Sequence, residues 1–280
     1  MPRGAAVTGW AALRWRGSRW FDGSSGRVQL PVPVLVGNHQ IHGRPGVSVT
    51  SEQLLYQEKP TSVDGLTVTS AVRAVAYEAR YATDLRAAVQ ILDLAASGDL
   101  VSVAEVTAYA ARLTAWTGIE QLRAALLLAD ENVWSPMETE MALIWVIDLG
   151  LARPLANRPV FDLNGRRVAT PDLIDIEAGV IGEYDGALHL EGKQRTKDLA
   201  READLRRLGL EYVTMTAGDR ADPSAFRRRV IEARQRGLHR ASTRLWTVGE
   251  PAWWTPTHTV AQRRALSDEQ RARLLRGSAG

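Results

Sequence analysis

Apolar positions along the chain change period several times, and each change marks an element. Between Arg27 and Val36 (RVQLPVPVLV), Val28, Leu30, Val32 and Val34 recur at every second residue, which predicts a β-strand. Pro31 and Pro33 have no N–H to give to a ladder, so the strand is expected at a sheet edge. The following GNHQIHGRPGVSVTS reads as a hairpin-like region, with His39 and His42 as ordinary loop histidines. A short helix is expected over Gly9 to Arg16, and from Thr69 onward the period is helical. Asp84 caps a helix with Leu85, Val89 and Leu92 on one face. Ser102 and Glu105 form a capping box stapled by Val101 and Val106, and another helix runs from about Ile119 to Ala129. Ser135-Pro136-Met137-Glu138 opens a further helix, with Ser as cap and Pro at the first turn. Met141, Ile144, Trp145 and Asp148 continue one face of it to Gly150.

Strand signals then return. Pro159 to Leu163, Asn164-Gly165 and Arg166 to Ala169 predict a hairpin on a type I′ turn. Two more strands, Pro171 to Ile176 and Val180 to Asp185, are separated by Glu177-Ala178-Gly179. Lys193 to Leu208 reads as a charged helix closed by Gly209, Leu210 to Thr216 as an apolar strand fit for a sheet centre, and 223 to 240 as a helix.

The stretch from Thr170 to His189 (TPDLIDIEAGVIGEYDGALH) holds the candidate chemistry. Alternation puts Asp172, Ile174 and Ile176 on one face of its first strand and Ile181, Glu183 and Asp185 on one face of the second. A turn centred on Glu177-Ala178 pairs Asp172 with Glu183; a turn one residue later pairs Asp172 with Asp185. Either register gathers three carboxylates on one face, while a three-residue loop would separate them. Their mutual repulsion calls for a positive partner, and a hard divalent cation with oxygen ligands fits.

Composition narrows the setting. The 280 residues are 45% hydrophobic, enough for one large or two ordinary domains. No run of about 18 apolar residues suggests a membrane span, and the opening MPRGAAVTGWAALRWRG does not read as a signal peptide. Cysteine is absent, which excludes disulfides, thiolate-bound zinc and a thiol nucleophile and fits a reducing cytoplasm. The net charge is only +3, but the basic residues are almost all Arg, the side chain that forks onto phosphate. Trp10, Trp15 and Trp20 alternate with Arg14, Arg16, Arg19 and Arg27. Inward packing of these indoles is favoured over stacking on a single strand.

PDLID, then EYDG with His189 three residues beyond Gly186, resembles the PD-(D/E)XK nuclease superfamily, closest to the very-short-patch-repair mismatch endonucleases and their small bacterial relatives. The resemblance runs from about Ser135 to Asp219. It implies an α/β fold with a restriction-endonuclease-like mixed-sheet core, helix–three strands–helix–strand, over 131–222. A separate α+β domain is expected over 1–130 and a basic tail over 223–280. It assigns Asp172 to the PD position and Glu183 to the acidic position, with Asp185 where the usual Lys stands. His189 then replaces that Lys as base or phosphate contact, with Lys193 as a second candidate. Glu138 either closes its capping box or joins Asp172 and Glu183 as a metal ligand. The implied cofactor is Mg²⁺, with Mn²⁺ as substitute. The implied partner is DNA, met on its backbone by Arg195, Arg201, Arg227 and Arg228, and a protein partner or homodimer is compatible with this reading. VTGWAALRWRG and GLTVTSAVRAVAYEARYA resemble the N-terminal half of AbiEi-type antitoxin-like proteins. Two functions are therefore expected to compete: a metal-dependent DNA endonuclease, and a non-catalytic, antitoxin-like or regulatory DNA-binding protein on a nuclease scaffold.

Overall fold

The computed structural model describes residues 5–37, 43–52, 58–186, 202–240 and 244–277. The fold is mixed α/β and divides into two compact units, Met1–Glu131 and Asn132–Gly280. No described helix is long and apolar enough to cross a membrane.

In the first unit, β1 (Ala6–Val7) is the centre of a five-stranded sheet. On one side lie β4 (Val32–Val36) and β5 (Val47–Ser51), on the other β7 (Leu66–Val68) and β6 (Thr61–Val63). Strands β2 (Ser24–Ser25) and β3 (Val28–Gln29) form a separate small hairpin. Five helices follow, α1 (Gly9–Trp15), α2 (Ala71–Arg80), α3 (Leu85–Ser97), α4 (Val103–Ala110) and α5 (Ile119–Leu126), of which α3 and α4 start at the Asp84 and Ser102 caps read from sequence.

Three expectations fail here. Strand β4 is interior, because it pairs with β1 and β5. Pro33 is tolerated because it lies just past the end of the two-residue β1. The Pro33 carbonyl accepts the Thr8 N–H at 2.9 Å, while the Thr8 carbonyl turns to the first turn of α1 through Ala12 N. The phase of the strand is also shifted. Pro33 and Leu35 face inward, whereas Val28 and Leu30 are exposed, since the chain breaks at Leu30-Pro31 between the small hairpin and β4. Third, β4 and β5 run parallel, so they are not the two arms of a hairpin. His39 and His42 lie outside the described residues.

The second unit opens with α6 (Pro136–Leu143), which widens into one π-helical turn, Ile144–Asp148, closed by Leu149 N to Ile144 O at 3.1 Å. Then come β8 (Leu155–Ala156), β9 (Val160–Asp162), β10 (Arg167–Ala169), β11 (Leu173–Asp175) and β12 (Val180–Asp185). Residues 202–207 are helical (α7), followed by β13 (Glu211–Thr216), α8 (Ser224–His239), β14 (Trp246–Thr247), α9 (Val260–Arg264) and α10 (Asp268–Gly277). A four-stranded mixed sheet has the order β13-β12-β11-β8, with β12 and β13 parallel and β11 antiparallel to both its neighbours.

The β9–β10 hairpin leaves this sheet and forms another with β14. Its turn is not type I′. Gly165 has φ +79° but Asn164 is not in the left-handed region, and Gly165 N bonds to Asp162 O at 3.0 Å. A type I turn followed by a left-handed glycine results. It is held by the Asp162 carboxylate, which accepts the N–H groups of Asn164 and Arg166.

Both faces of the four-stranded sheet are covered. On one, Leu173, Val180, Val213 and Met215 pack against Met141 and Trp145 and against Phe226, Val230 and Ala233 of α8. The tail expected from 223 onward therefore begins with a core helix. On the other face, Ile174 and Ile181 pack with Leu205, Leu210, Trp246 and Val160. Gly182 lets α6 approach, since a Cβ there would stand 3.2 Å from the Met141 sulfur.

Candidate functional site

The β11–β12 register is Leu173↔Gly182, Ile174↔Ile181 and Asp175↔Val180. Continued one residue beyond the end of β11, this register sets Asp172 opposite Glu183. This is the first of the two registers that the sequence left open. Residues directly opposite in an antiparallel pair project to the same side, so Asp172, Glu183 and, two residues on, Asp185 share the face of Ile174 and Ile181. All three carboxylates are half-buried.

The register is set at the other end of the hairpin. The Asp175 carboxylate accepts the N–H groups of Glu177 at 3.0 Å and Ala178 at 3.1 Å, and the Asp175 carbonyl accepts Gly179 N–H at 2.8 Å. Asp175 is 4% exposed and ion-paired to Arg234 of α8, which also binds Glu177 at 2.7 Å. The two aspartates of PDLID thus divide the work. Asp175 locks the turn, and Asp172 is carried to the half-open end.

Neighbouring groups orient the pair. Asp172 Oδ2 accepts the Tyr184 N–H at 2.8 Å, and Glu183 Oε2 accepts the Tyr212 hydroxyl at 2.7 Å. Behind them lies Asn157, a non-glycine residue at φ +47° and 5% exposed. Its N–H donates to the Asp172 carbonyl at 2.9 Å, and its side-chain amide donates to Asn132 O at 2.8 Å and Glu138 Oε2 at 2.6 Å. A left-handed backbone at a buried asparagine is strain of a kind that surrounding contacts must hold in place.

Glu138 sits one helical turn into α6. The Ser135 hydroxyl accepts its N–H at 3.3 Å, as the capping pattern predicts. Its carboxylate accepts the Trp134 N–H at 2.8 Å in addition to the Asn157 amide. Glu138 is therefore joined to the Asp172 strand through Asn157.

Asp172 and Glu183 together offer hard oxygen donors on one face, the chemistry that Mg²⁺ takes from a protein when one or two carboxylates hold it beside substrate phosphates. Among the described residues, no three His, Asp or Glu side chains converge as a metal-holding group. His189, Lys193, Arg195 and Arg201 lie outside the described residues. Arg227 and Arg228 are on the first turns of α8, Arg227 bonded to Ser224 Oγ at 3.2 Å and Arg228 solvent-exposed at 3.9 Å from Glu232. Farther along that helix, Arg236 and Arg240 both bind the buried Glu211, and Arg229 binds Asp219 and the Thr214 carbonyl.

Sequence reading missed Tyr212 and Asn157. Tyr212 shares its face of LEYVTMT with Thr214 and Thr216, and only the parallel pairing of β12 with β13 brings its hydroxyl to Glu183. Asn157 gave no signal, because its conformation and partners are tertiary. No family model, curated protein or solved structure matches the chain.

Proposed function

We propose that the chain is a metal-dependent DNA endonuclease that hydrolyses phosphodiester bonds in a repair, phage-defence or mobile-element setting. The observation that carries this reading is the β11–β12 register, which, continued one residue past Leu173, sets Asp172 opposite Glu183 at one end of a mixed four-stranded sheet. The order of α6, then β8, β11 and β12, then α7 and β13 supports a restriction-endonuclease-like core.

Asp172 and Glu183 would hold Mg²⁺ or Mn²⁺. When bound, such a cation supplies Lewis-acid polarisation of the phosphodiester and acidification of a coordinated water. Tyr212 and the Tyr184 N–H fix the two carboxylates. Glu138, with its carboxylate engaged by Trp134 and Asn157, positions the strand entering Asp172. His189 is the proposed proton acceptor, with Asp185 and Lys193 beside it in sequence.

The test is nicking of supercoiled plasmid by wild type, Asp172→Ala and Glu183→Ala in Mg²⁺, Mn²⁺ or EDTA. Wild type should nick only with metal, and both variants should be inert. Wild-type inertness on duplex, mismatched and single-stranded DNA in both metals would discard the reading. A second reading, a non-catalytic, antitoxin-like or regulatory DNA-binding protein on the same scaffold, draws on the resemblance of the N-terminal half to AbiEi-type antitoxin-like proteins and on Asp185 in the Lys position. It requires DNA binding that Asp172→Ala leaves intact.

A further inference from the structure

A cavity of about 500 Å³ opens in the second unit, a size suited to a small organic ligand. Its walls include Trp134, Trp253, Trp254 and Pro159, and two solvent-exposed arginines, Arg167 and Arg273, also line it. Trp253 is 62% exposed, yet its ring is fixed. It stands edge-to-face with the fully buried Phe161 at 6.0 Å and 85°, and with Trp254 at 5.7 Å and 76°. Trp254 is in turn held by Phe161 at 5.4 Å. An indole kept rigid with much of its surface in water is a prepared stacking surface.

The charges in the cavity favour an anion. Its one carboxylate, Glu250, is bound by Arg158 at 3.3 Å and lies 3.3 Å from His258. Arg167 and Arg273 make no ion pair among the described residues, so two guanidiniums remain for a ligand. The cavity also adjoins the carboxylate pair along the chain. Asn157 and Thr170 line it; the first donates its N–H to Asp172, and the second lies two residues before it.

We propose that this cavity binds one nucleotide, its base stacked on Trp253 and its phosphate paired with Arg167 and Arg273. A flat π-system beside an anion is what these walls recognise. Two sources present that chemistry, a free nucleotide and an unpaired nucleotide of a strand. The nearness to Asp172 assigns the second, an assignment that rests on the nuclease reading.

The test is fluorescence anisotropy in EDTA with four probes: a short labelled single strand, the same length of abasic strand, the paired duplex, and dAMP as competitor. The single strand should bind more tightly than the duplex and the abasic strand. Trp253→Ala should weaken single-strand binding about 5- to 150-fold, the effect of losing one stacked base. Arg167→Gln and Arg273→Gln, both at exposed positions, should each weaken single-strand binding, and the double variant should lower the salt slope by about 0.7, the share of one phosphate. Equal affinity for all three DNAs without competition by dAMP, or variants that match wild type, would overturn the proposal. Competition by dAMP without discrimination among the DNAs would keep the nucleotide pocket and overturn its strand source. Single-strand preference in a protein that nicks nothing would leave this inference standing and remove only the nuclease reading.

Discussion

The Tyr212 hydroxyl donates to Glu183 Oε2 at 2.7 Å from one parallel strand to the next. Tyr212→Phe keeps the ring and removes this donor. If Glu183 is a metal ligand, losing the group that orients it should raise the Mg²⁺ concentration needed for half-maximal nicking, or lower activity, by about 10- to 100-fold. A metal titration of plasmid nicking reads this directly. An unchanged curve would mean that the hydroxyl only satisfies a carboxylate with no role in cleavage.

The Asp175–Arg234 pair should be worth more to stability than any surface pair. Asp175 is buried, and its carboxylate serves two turn N–H groups, the Trp145 indole and the guanidinium. Burial also lowers the Arg234 pKa from its usual value, the mark of a guanidinium that has lost part of its hydration. Asp175→Ala strands those donors and should cost about 3–5 kcal/mol in urea unfolding. A shift no larger than that of the exposed Arg228→Ala would contradict this account.

Gly237→Ala should destabilise the second unit, against helix propensity. On an exposed helix the change gains about 1 kcal/mol. Here a Cβ would collide with the Ala178 carbonyl oxygen, because α8 crosses directly over the β11–β12 turn. A loss of about 1–3 kcal/mol is expected, the usual range for overpacking. Thermal unfolding that rises with the substitution would show that α8 does not press on the turn.

Glu78 should make stability fall as pH rises. Burial pushes its carboxyl above the usual range, and the Trp10 N–H, 2.7 Å away, only partly offsets this. Below the usual carboxylate range both folded and unfolded states are protonated, and no penalty exists. As pH rises from there through the raised value, the unfolded chain ionises first. Stability drops across that window and stays lower above it. Glu78→Gln keeps an acceptor for Trp10 and should remove this group's share of the slope, leaving the variant more stable than wild type at pH 7. Parallel melting curves of the two proteins, acid to neutral, would expose an error if the gap failed to widen upward.

Local chemistry in the sequence determined the helix starts at Asp84, Ser102 and Ser135 and the common face of Asp172 and Glu183. Caps act within three residues, and strand alternation acts within one strand. The register was legible only down to two choices. Asp175 settled it by gripping its own turn, with Arg234 as a partner from 59 positions away. Tertiary structure alone made β4 interior, since that depended on where the short β1 stops. It alone recruited the two residues of β8, sent the β9–β10 hairpin to another sheet, and folded α8 into the core. It also built the aromatic cavity from side chains between Asn132 and Leu274. Each of these rests on contacts between distant segments, whose energies come from burial and pairing in three dimensions and leave no periodic trace along the chain.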